Sequence, residues 1–419
     1  MRPTVAFPTR NNPALALRST ESMQQQRILE LDGIRGLAII AVMIFHLAAY
    51  RPAHPDVLSG AIDLGWIGVD LFFVLSGFLI TSVLLSEKGS THYLRNFFVR
   101  RALRILPLYY LVLFCFFHLE LPVAHHFHAL RYFTNDSEPL YWLQLSNWRS
   151  AFGELASSPV GPFWSLAIEE QFYIVWPFVV LWSSERGLMI VCCVIAAVSA
   201  ALRFLPSFQA IDAANAEFIY RLTPFRLEPL CYGALLALLP THTEQNSRLK
   251  RWMISACIGG ALLFLAAVTA GGNVTKYSNV MVATYGFTGV DWVCAGLVGL
   301  AIASRDQHGC TAFLRNSTLR RFGKLSYALY VFHIQVAILL TFATAKLIGG
   351  GLLTSFINIS GGIAFAYLLA ACSWRWIEAP LLSVKDRLAP PAPPQPAATV
   401  EQPFASVEPA AVSGTHSRG

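Results

Sequence analysis

Residues 31–46 read LDGIRGLAIIAVMIFH, an apolar run with Arg35 near one end and His46 closing the other. The run is greasy enough to enter a bilayer, where an ionisable side chain is expensive and usually retained for a use. On an α-helix these two residues, eleven positions apart, differ by three turns plus about 20°, so both point to one side. A rise of ~1.5 Å per residue sets their Cα atoms about 16 Å apart along that stripe. Taken alone, the pair also reads as structural: an arginine reaching for lipid phosphates and a histidine hydrogen-bonded to a neighbouring helix.

The rest of the chain agrees with a membrane setting. Of 419 residues, 55% are apolar and 13% charged, against about a quarter charged in soluble domains. A net charge of +7 could suit nucleic acid, but the basic residues cluster in short loops between apolar runs. That is the positive-inside pattern, and no nucleic-acid partner is expected. Cys115, Cys192, Cys193, Cys231, Cys257, Cys294 and Cys372 fall within apolar segments, with no C-x-x-C pair. Neither a disulfide framework nor a metal site is indicated.

The expected fold is all-α, a polytopic membrane helix bundle. Windows of about 20 apolar residues give ten spans: 34–50, 66–86, 105–121, 163–182, 187–205, 223–240, 252–271, 284–303, 325–347 and 356–377. Loops 87–104, 241–251 and 304–324 are basic and fall on one side. That side is therefore cytoplasmic, with both termini on it and the protein in the inner (plasma) membrane. Residues 1–26 are expected to be an unordered cytoplasmic segment, 27–385 the membrane domain, and 386–419 a disordered Pro/Ala-rich cytoplasmic tail. The loop 122–162 is the longest on the outer side and large enough to face a substrate.

Several further polar groups enter apolar surroundings. Asp70 and Ser76 lie in GWIGVDLFFVLSGFLIT, residues 65–81. Ser76 lacks a local base, so hydrogen bonding within the membrane outweighs a nucleophilic role. In YLRNFFVRRALRILPLYY, residues 93–110, Arg100, Arg101 and Arg104 stand at i, i+1 and i+4, so they are expected to crowd one helical face. They serve either as a lipid anchor or as a clamp for a phosphate-bearing ligand. Glu169 and Glu170 sit inside GPFWSLAIEEQFYIVWP, and at least one should meet Arg or His. Arg226, Glu228, Asp291, His333 and Glu378 are later insertions of the same kind.

With these residues in view, the sequence resembles a known family. LDGIRGLAIIAVMIFH, GVDLFFVLSGFLIT, VRRALRILPLYY, FWSLAIEEQFY, LSYALYVFHI and WIEAPL occur in the order seen in acyltransferase-3 integral-membrane O-acyltransferases. The resemblance covers about residues 27–385. It implies transfer of an acyl group, commonly acetyl, from cytosolic acyl-CoA to a hydroxyl. The family's acceptors include lipopolysaccharide, exopolysaccharide, other glycans and glycolipids, and in a few relatives macrolide-type small molecules. Its arginine–ten residues–histidine motif maps onto Arg35 and His46, its basic motif onto Arg100, Arg101 and Arg104, and its acidic motif onto Glu169. Some members carry a C-terminal esterase-like domain; none is expected here.

On this reading Arg100, Arg101 and Arg104 hold the phosphates of acyl-CoA and Arg35 joins them or positions the pantetheine arm. His46 acts as general base or accepts the acyl group, and Glu169 and Asp70 orient it. The resemblance implies acyl-CoA, acetyl-CoA in the common case, as donor substrate with no permanently bound cofactor, and lipids surround the protein. The rival class is a transporter or flippase of an envelope lipid or sugar, which would work without acyl-CoA.

Overall fold

In the computed structural model, residues 28–48, 56–120, 138–151, 158–205, 218–239, 246–304, 311–349 and 351–390 are described. The expected unordered segment 1–26, most of the tail, and residues 121–137 and 152–157 of the long loop lie outside the described residues. Among the described residues every regular element is helical. The chain runs through α1 (Leu29–Leu47), α2 (Val57–Asp63), α3 (Ile67–Glu87), α4 (Tyr93–Cys115), α5 (Glu138–Trp142) and α6 (Ser146–Ala151). It continues through α7 (Phe163–Trp182), α8 (Glu185–Leu202), α9 (Thr223–Ala237), α10 (Asn246–Ala270) and α11 (Phe287–Ala303). The last four are α12 (Ser317–Lys324), α13 (Ser326–Leu347), α14 (Leu352–Ser373) and α15 (Ala379–Leu388).

Each expected span coincides with a helix over most of its described residues, but among the described residues seven helices are long and apolar enough to cross a membrane: Val57–Glu87, Tyr93–Leu119, Glu185–Leu202, Ser247–Ala270, Val282–Ala303, Ser326–Thr344 and Leu352–Lys385. Three expected spans, α1, α7 and α9, do not meet that test. The reason is the charge they carry: Glu30, Asp32 and Arg35 on α1, Glu169 and Glu170 on α7, Arg226 and Glu228 on α9. At 15 residues α9 is also short, reaching about 22 Å at 1.5 Å per residue. A hydropathy average penalises these polar groups whether they face lipid or protein. The last helix, α15, runs past residue 386 to Leu388. Beyond it, Asn96 Nδ2 donates to the Pro390 carbonyl and Arg100 Nε to the Ala389 carbonyl, each at 3.0 Å.

The bundle has an inside and a lipid-facing outside. The apolar windows of α3 and α11 are each 67% buried, whereas that of α10 is 17% buried. Apolar residues on α10 therefore face hydrocarbon, which supplies no drive for helix association; close packing has to. Glycines provide it. A Cβ at Gly77 on α3 would fall 2.0 Å from the Leu230 carbonyl oxygen, and one at Gly233 on α9 would fall 2.0 Å from that of Val74. Each helix thus sinks a glycine into the backbone of the other. Around the opening motif, Gly33 and Gly36 do the same against Leu314 and Leu319, which draws α12 and the 3-10 turn before it (Ala312–Arg315) onto the start of α1.

Gly77→Ala is expected to lower the thermal midpoint of the protein in detergent by ~3 °C or more, since overpacking costs about 1–3 kcal/mol. Gly361→Ala is the control. Its added carbon meets nothing within 4 Å, so its midpoint should match that of wild type in the same fluorescence melt.

Candidate active site

Arg35 and His46 do share helix α1, and both are half-buried. Around Arg35 the helices leave a cavity of about 80 Å³ whose polar lining includes Arg35, Ser76, Arg101, Arg104, Glu169 and Ser326. Three arginines thus face one carboxylate, so the chamber is cationic. Arg35 Nε donates to Ser326 Oγ at 3.3 Å, which ties α1 to the first turn of α13. Glu169 is held from two sides: Ser76 Oγ donates to Oε1 at 2.9 Å, and the Tyr173 hydroxyl to Oε2 at 3.0 Å. The Arg101 guanidinium lies over the Tyr173 ring, 5.3 Å from its centre, a cation–π contact that leaves its N–H edges available.

Two further cavities share walls with this one. A larger one, about 650 Å³, shares Arg35, Leu79 and Arg104 with it and adds Asp32, Lys324 and Trp374. A smaller one, about 40 Å³, shares Val69 and Tyr330 and is lined by His46, Trp66, Trp164, Tyr220 and Tyr277. The order is a wide basic vestibule, a cationic chamber and an aromatic compartment holding His46. Val69 and Tyr330 form the septum between the last two. The Tyr330 hydroxyl is fixed by the Pro162 carbonyl at 3.1 Å and by Ser165 Oγ at 2.5 Å.

His46 Nδ1 lies 2.9 Å from the Val42 carbonyl oxygen. A carbonyl can only accept, so Nδ1 carries the hydrogen and Nε2 keeps its lone pair. That tautomer suits a base. The His46 ring also meets the His333 ring, with centres 4.9 Å apart and planes at 64°.

A family model described as an acyltransferase domain matches residues 28–375. The chain belongs to the acyltransferase-3 family. It is 30% identical over 376 residues to an O-acetyltransferase OatA of Staphylococcus aureus (strain NCTC 8325 / PS 47), which covers 86% of this chain and 58% of the relative. It is 26% identical over 390 residues to the peptidoglycan O-acetyltransferase OatA of Listeria monocytogenes serovar 1/2a (strain ATCC BAA-679 / EGD-e), covering 87% and 57%. The chain thus spans little more than half the length of these relatives. No solved structure matches it.

Within this member of the family, the residues singled out in the sequence separate into two groups. Arg35, Arg101, Arg104 and Glu169 come together in one chamber, and His46 occupies the next. Arg100 and Asp70 stand elsewhere. Arg100 points away from its two neighbours: Nη1 meets Glu87 Oε1 at 2.5 Å while Nε takes the Ala389 carbonyl. The cause is helical phase, since adjacent residues project about 100° apart. Asp70 Oδ1 receives Arg226 Nη2 at 2.5 Å, both side chains being fully buried. The Arg226 guanidinium is further boxed by the rings of Phe73, Tyr220 and Phe287. Asp70 therefore pins α3 to α9 instead of orienting His46. Glu228 is similarly engaged, by Arg203, Tyr232 and Thr288. Sequence reasoning missed Tyr173, Ser326 and Tyr330. A phase calculation would have found the last two, because Ser326, Tyr330 and His333 fall at i, i+4 and i+7 of α13.

Asp70→Asn strips Arg226 of its paired charge and is expected to destabilise the protein by about 3 kcal/mol. The double variant Asp70→Leu/Arg226→Met should melt closer to wild type than either single variant. Differential scanning fluorimetry in detergent reads the order directly.

Proposed function

We propose that the protein is a multi-pass membrane O-acyltransferase that moves an acetyl group from cytosolic acetyl-CoA to a hydroxyl of a glycan. The observation that carries the reading is the chamber in which Arg35, Arg101 and Arg104 converge next to the compartment of His46. Guanidinium groups bind phosphate by parallel N–H bonds, so the basic vestibule suits the nucleotide end of CoA. The thin pantetheine arm fits the small chamber better than any sugar would. Arg104 and Lys324 at the vestibule meet the phosphates first, and Arg101 and Arg35 guide the arm inward.

The thioester then approaches His46 once the Val69–Tyr330 septum parts. His46 Nε2 removes the proton of the acceptor hydroxyl as its oxygen attacks the acyl carbon. Collapse of the adduct breaks the C–S bond, and the imidazolium returns the proton to sulfur. Glu169, held by Ser76 and Tyr173, balances the chamber's positive charge and keeps the arginines apart.

This reading places the basic loops and both termini in the cytoplasm, with α1, α7 and α9 completing ten spans in the inner membrane. Relatives named for O-acetyl transfer support acetyl as the group, and the Listeria relative's name supports a cell-wall glycan as the acceptor class.

The test is product formation by purified protein from acetyl-CoA and a glycan acceptor, followed by mass spectrometry. His46→Ala is expected to lower kcat by about a hundredfold or more. Arg101→Ala and Arg104→Ala should each raise KM for acetyl-CoA about tenfold, the value of one charge-assisted hydrogen bond. Arg100→Ala, whose guanidinium is spent on Glu87 and Ala389, should leave that KM unchanged. Transport of a glycan or lipid without any need for acetyl-CoA would overturn the proposal.

A further inference from the structure

The vestibule contains more than a phosphate needs. Arg35, Arg104 and Lys324 supply positive charge, but Ile28, Leu31 and Trp374 line the same cavity of about 650 Å³. A polyanion alone is held by cations and N–H groups and leaves apolar surface unused. A ligand that carries a flat ring beside its phosphates uses both kinds of wall.

Trp374 is brought there at the end of α14. It opens a single turn of π-helix, Trp374–Glu378, that joins α14 to α15, and such turns are rare and often mark functional sites. Trp376, two positions on, is 70% exposed, whereas Trp374 is half-buried in the vestibule wall. Residues two apart on a helix point to nearly opposite sides, so only one of the two rings turns inward. Lys324 arrives from α12. A Cβ on Gly323 would fall 1.8 Å from the Asp32 carbonyl oxygen. The end of α12 therefore lies directly on α1, and the exposed Lys324 follows in the lining of the cavity.

The two side chains meet: the Lys324 ammonium lies over the Trp374 ring, 4.6 Å from its centre. An exposed cation–π contact is weak, and a phosphate offers the ammonium a stronger, charge-assisted bond. A phosphate that enters the vestibule thus draws Lys324 away and uncovers the ring, and a purine base stacks well on an aromatic face of that size.

We infer that Trp374 is the platform on which the adenine of acyl-CoA stacks, with Lys324 exchanging the indole for a CoA phosphate. The inference rests on the acyl-transfer reading above and deepens it, by assigning the nucleotide end of the donor to the π-turn after α14. Trp374 thereby sets donor specificity. It distinguishes CoA from the bare phosphopantetheine arm, which ends in a phosphate but carries no base.

The experiment compares the binding of CoA and of phosphopantetheine to purified protein in detergent, by calorimetry. Wild type should bind CoA about tenfold or more tightly than phosphopantetheine. Trp374→Leu should raise Kd for CoA about tenfold, the value of one base–aromatic stack, and keep Kd for phosphopantetheine within about twofold of wild type. Trp374→Phe keeps a ring and should recover most of the loss. Trp376→Leu, at the exposed ring, should leave both constants unchanged. If the Lys324 contact only fastens α12 to α14, Trp374→Leu lowers the thermal midpoint and shifts both ligands alike, or neither. Either result overturns the inference. Equal Kd values for the two ligands in wild type overturn it without any variant, and leave the acyl-transfer reading standing. Absence of CoA binding by wild type overturns both.

Discussion

A charge enclosed by membrane helices has to be met by an opposite charge or by hydrogen-bond donors, because neither water nor lipid can solvate it. The centre of this protein is organised by that requirement. Arg226 takes Asp70, Arg203 takes Glu228, and Glu169 takes two hydroxyls. Each of these contacts joins different helices or fixes a side chain facing one. The polar groups thus decide which helices are neighbours, and the apolar residues fill the space that remains.

Close glycine contacts and buried ion pairs reinforce each other along one seam. Gly77 and Gly233 bring the backbones of α3 and α9 together, and Asp70 and Arg226 bridge the same two helices. On the opposite side of α3, Ser76 is then presented to Glu169 of α7. Ser76 and Glu169 both line the cationic chamber, so the packing of α3 on α9 also sets one of its walls.

Much of this was legible in the sequence where a local rule applied. The stripe of Arg35 and His46 follows from helical phase alone, and both sit where that phase puts them. At least one of Glu169 and Glu170 was expected to meet Arg or His; Glu169 takes the hydroxyls of Ser76 and Tyr173, in a cavity that three arginines line. What the sequence could not convey was which partner each would choose. Asp70 had several eligible cations, and the choice of Arg226 depends on how closely α3 and α9 approach, a distance written in two glycines 156 positions apart. Arg100 was misplaced because helical phase lets either Arg100 or Arg101 share a face with Arg104, and Glu87 and the Ala389 carbonyl hold Arg100 away from the chamber. The count of seven helices apolar enough to cross a membrane rests on hydropathy, which cannot tell a polar group facing protein from one facing lipid, so α1, α7 and α9 fall outside it.

The septum of Val69 and Tyr330 has a meaning that a soluble enzyme would never confront. A cationic chamber and a histidine compartment joined end to end would make a polar bore through the bundle. Such a bore would let ions run down whatever gradient the bilayer maintains. Two side chains, one of them locked by its hydroxyl to Pro162 and Ser165, interrupt it. Val69 and Tyr330, which line both cavities, thus stand where a membrane protein needs insulation.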